Sequence, residues 1–320
     1  MSLKRIVDIL KASDDMYIVG HIMPDGDCIS SILSLVEGLK KIGKNAKGFI
    51  DWEIPGNLMD FPKIASIKKF KEGLKKPDNL IVVDCSSPDR IGRFQKFLRE
   101  DVNVIVIDHH ATNNYFGNVN YVDTKSSSVA EIIYEINKIL CIDYDEELST
   151  MNLLGILTDT GFFKYSNTTP MTLHITAELM KRGADIESIS LMVNENRKIE
   201  NLYLQKDAIN NLKLLSENKL GYSYLTKENF EKYNITENDF DGFVSDIRSI
   251  DTVEVAIFAA QYEENRAHVS LRSKKYFDVS KIALEYGGGG HPRASGFTLN
   301  YEGSLEKAIE TVAKKVEKFL

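Results

Sequence analysis

Three short runs constrain the fold of this chain more than any other feature. Met16-Tyr17-Ile18-Val19, Leu80-Ile81-Val82-Val83 and Val104-Ile105-Val106-Ile107 are apolar at every position. A strand with one wet face alternates, whereas a run without polar positions reads as a strand covered on both faces, as in a parallel sheet between helices. Helical spacing fills the intervals. Leu3, Ile6, Val7, Ile9 and Leu10 precede the first run, Ile32–Leu39 follows it, Arg90–Leu98 follows the second and Val129–Leu140 the third. The alternation predicts an α/β domain built on a mostly parallel, doubly wound sheet.

Each run leads into acids or imidazoles. The first is followed by His21, Asp25 and Asp27, the second by Asp84, the third by Asp108, His109 and His110. In an open α/β sheet the carboxyl ends of the strands line the ligand crevice, so these residues should meet in space. Singly they have ordinary readings: His21 as a strand-end histidine, His110 as a core residue, Asp159 of TDTGFF as a cap before Gly161. Together, several carboxylates at one place repel, and a bound cation is the simplest way to hold them near neutral pH. Oxygen and imidazole donors without thiolate favour Mn²⁺, with Mg²⁺, Co²⁺ or Zn²⁺ as substitutes. Two histidines and four aspartates exceed the needs of one open site and suit two ions ~3.5–4 Å apart, bridged by a carboxylate.

The remaining sequence suggests a second, smaller α/β domain. MTLHITAELMKRG at 171–183 reads as a helix closed by Gly183, and the polar, Asn-rich stretch 191–216 as a linker helix. We therefore expect domains at 1–190 and 217–320. The latter has strand-like runs at Gly221–Leu225, Val253–Ala260 and His268–Arg272, a helix at Val279–Tyr286 capped by Asp278, four glycines, and a final helix carrying Leu305, Ile309, Val312 and Val316. Consecutive glycines can turn several N–H groups toward one anion, which makes Gly288, Gly289 and Gly290, with His291 and Arg293 beside them and Arg272 and Ser273 on the preceding strand, candidate substrate-binding residues.

Charge and cysteine content narrow the setting. A net charge of −7 over 320 residues gives no general attraction for long duplex nucleic acid. Cys28, Cys85 and Cys141 are odd in number and form no CxxC pair, so a reducing cytoplasm is expected, with Cys85 a buried packer rather than a nucleophile. No apolar run approaches the ~18 residues of a membrane span, and no signal-like segment stands at the N-terminus. A soluble protein without a membrane partner is the expectation, and a homodimer is left open.

Six segments in order resemble the DHH phosphoesterase family, within it the short two-domain subgroup of nanoRNases and pAp phosphatases: GHIMPDGDCISS, VVDCSSPDR, IDHHATNNYF with SSSVAE, LTDTGFF, SLRS and GGGGHPRASGF. The resemblance implies His21, Asp25 and Asp84 on one ion, Asp27, Asp84, His109 and Asp159 on the other, and Asp84 as the bridge. It implies a catalytic role for His110, free of metal and titrating near neutrality, with Asp108 orienting an imidazole and Arg90 among the substrate-binding residues. Cys28 and Ser30 stand where the family usually has alanine and glycine.

The expected reaction is Mn²⁺-dependent hydrolysis of short oligoribonucleotides and pApA by a metal-bridging hydroxide. The alternatives are removal of phosphate from pAp, hydrolysis of cyclic di-AMP, and, from another class, a non-catalytic nucleotide-binding module, which would show a broken ligand set. A long single-strand exonuclease would need a further nucleic-acid domain. An inorganic pyrophosphatase would carry a different C-terminal domain.

Overall fold

The computed structural model describes residues 2–98, 101–236, 240 and 243–320, and its contacts divide into two units, Met1–Asn196 and Arg197–Leu320. In the first unit six strands, β1 (Asp15–Val19), β2 (Asn45–Ile50), β3 (Lys68–Lys69), β4 (Asn79–Val83), β5 (Asn103–Asp108) and β6 (Val119–Val122), form a sheet in the order β3-β2-β1-β4-β5-β6. Every pairing is parallel. The order reverses between β1 and β4, the switch point at which open α/β sheets bind ligands.

Both faces are covered, which is why the central strands β1, β4 and β5 are apolar between their ends. Ile18, Ile81 and Ile105 point into one core with the helices α1 (Leu3–Ala12), α2 (Gly26–Lys41), α3 (Val129–Ile139), α4 (Glu146–Asp159), α5 (Pro170–Lys181) and α6 (Ile186–Asn194) around it. Val19, Val82 and Val106 point the other way, onto Phe49, Phe70, Phe94 and Phe97. The expected helix over Arg90–Leu98 is not an α-helix. Residues Pro88–Phe97 are 3₁₀ turns interrupted at Gly92, where φ is +58° and an added Cβ would lie 2.5 Å from Asp51 Oδ2. The same carboxylate accepts from the Arg93 backbone N–H and guanidinium, so this segment is shaped by one buried-side acid rather than by helical repeat.

The second unit begins with α7 (Ile199–Asn210) and continues β7 (Lys213–Leu215), β8 (Leu220–Leu225), α8 (Lys227–Tyr233), α9 (Val244–Ser249), β9 (Val255–Glu263), β10 (Arg266–Ser273), α10 (Val279–Glu285), β11 (Gly289–His291), β12 (Ala294–Asn300) and α11 (Leu305–Glu317). Its sheet runs β11-β12-β10-β9-β8-β7, antiparallel except for β8 beside β9. Ile309, Val312 and Val316 of α11 seal one face against Tyr222 and Ile257, while Leu204 and Ala208 of α7 join Phe230, Ile247 and Phe258 on the other. The stretch 191–216 is therefore not one linker helix. It contains the end of α6, a break at 195–198, α7 and β7, because the apolar positions of α7 are needed as part of a core. Among the described residues no helix is long and apolar enough to cross a membrane.

Candidate metal centre

His21, Asp25 and Asp27 follow β1, and Asp25 is the N-cap of α2, accepting from the Cys28 N–H at 3.0 Å. Asp84 follows β4 with φ at +54°, a conformation that costs a non-glycine residue energy and that clusters at functional sites. A bond from its N–H to the Ile107 carbonyl holds it there. Asp108 closes β5, and His109 and His110 come next, their rings edge to face at 4.9 Å. Asp159 is the last residue of α4. A carboxylate at a helix C-terminus opposes the macrodipole, so this acid needs a compensating cation.

The Asp84 carboxylate, 2% exposed, divides its oxygens. Oδ2 lies 3.5 Å from His21 Nε2, and Oδ1 lies 3.7 Å from His109 Nε2 and 3.6 Å from His110 Nδ1. His109 Nε2 is also 3.6 Å from Asp159 Oδ2, and His21 Nε2 is 3.9 Å from Asp25 Oδ1. These spacings exceed the 2.7–3.2 Å of an ordinary hydrogen bond. Two donors each ~2.1 Å from a shared ion and ~90–120° apart would be about 3.0–3.6 Å from each other. Asp84 Oδ1 is buried without a hydrogen-bond partner, an orphaned acceptor where a cation would fit.

The imidazoles are set for ligation. The Ile22 carbonyl oxygen anchors His21 Nδ1 at 2.8 Å and so turns Nε2 toward Asp84. The Ser126 carbonyl does the same for His109 Nδ1 at 3.3 Å. Asp27 is buried and receives the N–H groups of Val129 and Ala130 at 2.6 and 2.9 Å. Burial first, then the charges of Asp84 and Asp159, push its carboxyl well above the usual range, a strain that bound cations would relieve. Burial works on Asp84 in the same direction, but the imidazoles of His21, His110 and His109 beside it outweigh burial and bring that carboxyl down.

His110 donates from Nδ1 to Asp108 Oδ1 at 2.8 Å, and Asn113 Nδ2 donates to the other oxygen of that fully buried acid at 2.6 Å. Burial disfavours the imidazolium, yet Asp108, Asp84 and Asp159 overcome it and raise His110 to about 10, above the near-neutral value expected. The reason is the number of acids around it. Arg90 packs beside His21, its Nη2 3.1 Å from Nδ1, and its carbonyl accepts from the Ile22 N–H.

The second-unit candidates are arranged differently from expectation. Gly287 and Gly288 donate their N–H groups to Leu284 and Ala283, the two bonds that close α10 in a Schellman motif, and Gly289–His291 form an edge strand on β12. The glycine run is thus not an open anion nest. An added Cβ at Gly288 would lie 2.1 Å from the Gly296 carbonyl, so close backbone approach is what glycine supplies there. Ser273 is buried and donates to the Pro292 carbonyl. Arg293 donates to the Phe277 carbonyl at 2.5 Å and to Ser273 Oγ, while Arg272 Nη1 donates to the Leu271 carbonyl.

Sequence reasoning missed Asn113, which also donates to the Cys85 carbonyl, and Asn167, which donates to the Ser127 and Asp159 carbonyls at 2.8 and 3.0 Å. A polar loop residue acting through backbone carbonyls leaves no spacing signal.

Residues 15–157 match the model of the DHH family, N-terminal domain, and residues 217–318 match the DHHA1 domain. A Thermus thermophilus protein described as bifunctional oligoribonuclease and PAP phosphatase NrnA is 31% identical over 318 residues, 98% of this chain and 94% of the relative. The chain belongs to the DHH family. A Bacillus subtilis protein of the same description is 26% identical to this DHH protein, over 98% of the chain and 99% of the relative. Among solved structures, an exopolyphosphatase-related protein from Bacteroides fragilis has a TM-score of 0.88 at 25% identity, covering 99% of this chain and 96% of that one.

Proposed function

We propose that this DHH protein is a metal-dependent phosphoesterase that hydrolyses short oligoribonucleotides and also dephosphorylates pAp. The observation that carries the reading is Asp84, whose two oxygens face two separate groups of ligating atoms. His21, Asp25 and Asp84 would hold one ion, and Asp27, Asp84, His109 and Asp159 a second. Mn²⁺ is the preferred ion for this mixture of imidazole and carboxylate, with Mg²⁺ or Co²⁺ as substitutes. When bound, such ions supply Lewis-acid stabilisation of phosphoryl oxygens and make water a better nucleophile near neutral pH.

The protein's own groups do the rest. His110, charged through Asp108, is the proton donor for the leaving oxygen, and Asn113 keeps the Asp108 carboxylate turned toward it. Arg90 offers a guanidinium beside His21 for a non-bridging phosphate oxygen. Arg272, His291 and Arg293 of the second unit are the cationic candidates for the remainder of the nucleotide. The relatives described as oligoribonucleases and PAP phosphatases support this pair of substrates. The net charge of −7 supports a short substrate over a long polyanion.

The test is turnover of the Mn²⁺-loaded protein on pAp, pApA, cyclic di-AMP and a five-residue RNA. Release of mononucleotides from pApA and the RNA, with slower release of phosphate from pAp, is expected. Failure on all four refutes the reading.

A further inference from the structure

The segment 126–130 holds three of the four members of one ligand group, all but the shared Asp84. The Ser126 carbonyl fixes His109, the N–H groups of Val129 and Ala130 hold both oxygens of Asp27, and the Ser127 carbonyl binds Asn167, which in turn holds Asp159 through its carbonyl and, at 3.4 Å, Oδ2. His21 and Asp25 are positioned elsewhere, by the Ile22 carbonyl and the Cys28 N–H. The 126–130 segment is itself pinned by one buried side chain. Glu131, 6% exposed, accepts at Oε2 from Ser127 Oγ at 2.6 Å, from the Ser127 N–H at 3.4 Å and from Thr172 Oγ1 at 2.9 Å.

Glu131 has no need to be there for the helix alone. It occupies the third helical position of α3 after the Ser128 N-cap, where a glutamate ordinarily reaches back to the N-cap N–H. Here the carboxylate turns instead to Ser127 and to Thr172, the residue that completes the capping box of α5. A buried carboxylate spent on a loop and a second helix fixes that loop in one conformation. The loop in turn fixes Asp27, His109 and Asp159.

We propose that Glu131 is a positioning residue for one of the two ions: through the 126–130 segment it sets the affinity of the Asp27–His109–Asp159 group without touching the ion, and leaves the His21–Asp25 side alone. The proposal rests on the two-ion reading above. Loss of an outer hydrogen bond to a ligand typically costs ~10–100-fold in metal affinity, and that loss should fall on a single site.

The experiment is Mn²⁺ titration of the full, metal-free chain by calorimetry and by electron paramagnetic resonance, with circular dichroism as the check on folding. In Glu131→Ala one site should weaken ~10–100-fold with the other unchanged. Glu131→Gln, which keeps a neutral acceptor, should restore most of the loss. Asn167→Ala cuts the same network at its Asp159 end and should reproduce the one-site loss, which keeps the test decisive if Glu131→Ala does not fold. Equal weakening of both sites, or of neither, overturns the proposal while leaving the two-ion reading intact. A wild-type chain that binds fewer than two ions overturns that reading and the proposal with it.

Discussion

Gly155 sits in the middle of α4 where α2 and α3 cross it, and replacing it by alanine separates two arguments of opposite sign. By helix propensity alone, Gly155→Ala should stabilise the protein by ~1 kcal/mol. The structure predicts the reverse, because the new Cβ would lie 2.6 Å from Asp27 Oδ1, 2.6 Å from Ala130 Cβ and 2.7 Å from Ser30 Oγ. All three positions are buried, and they belong to two different helices, so no single side chain can swing aside. Overpacking of this kind costs ~1–3 kcal/mol, and the crowding from three directions argues for the upper part of that range. After the propensity gain is subtracted, about 1–2 kcal/mol remains against folding, or a fall of ~2–8 °C in Tm for a unit of this size. The lone tryptophan, Trp52, is half-buried in the first unit, so its fluorescence follows that unit's urea and thermal transitions. Because Asp27 must move, Mn²⁺ affinity should fall as well. A Tm equal to or above wild type would refute the packing argument.

Other consequences follow from the buried acids and thiols. His110 is raised from an ordinary 6.5 to about 10, so its folded form binds a proton that the unfolded chain releases between those values. Stability from this group is full below about pH 6.5 and lost as pH rises toward 10. Urea unfolding of metal-free Asp108→Asn should show a shallower loss over that window than wild type, and identical slopes would contradict the assignment. Burial is the main cause that pushes Cys85 up to about 12 and Cys28 well above its ordinary value, while Cys141 is exposed. A thiol reagent at pH 8 should therefore label one cysteine in the native protein and three after denaturation, and rapid native labelling of two or more would count against the packing of Cys28 and Cys85. Asp84→Asn should reduce phosphoesterase activity by at least ~10²-fold, since one neutral amide cannot serve two cations, and steady-state turnover near the wild-type rate would contradict the bridge.

The sheet was legible in the sequence because a strand covered on both faces is apolar along its length, and β1, β4 and β5 each show such a run after a polar first residue and before the chain turns acidic. Asp25, Asp27, Asp84 and His109 were findable for the same reason: topology puts strand ends together, whatever their separation in sequence. Asp159 was readable as a ligand or a cap, but the helix that carries it was not, since α4 is apolar over much of its circumference and shows little periodicity. The crossover at 88–97 depends on Asp51, some forty residues earlier, and the glycine run depends on how closely β11 approaches β12; both are tertiary facts with no local signal. The outer groups Ser126 and Asn167 act through backbone carbonyls, and Asn113 and Glu131 through partners brought to them by the fold, so their identities alone do not reveal them.

The bridge proposed at Asp84 would join two cations. Electron paramagnetic resonance of the full chain loaded with two equivalents of Mn²⁺ tests it most directly, because ions ~3.5–4 Å apart and sharing a carboxylate are spin-coupled. Wild type should give a coupled dimanganese spectrum that gives way to isolated Mn²⁺ signals in Asp84→Asn. Two equivalents bound with only uncoupled six-line spectra in wild type would contradict it.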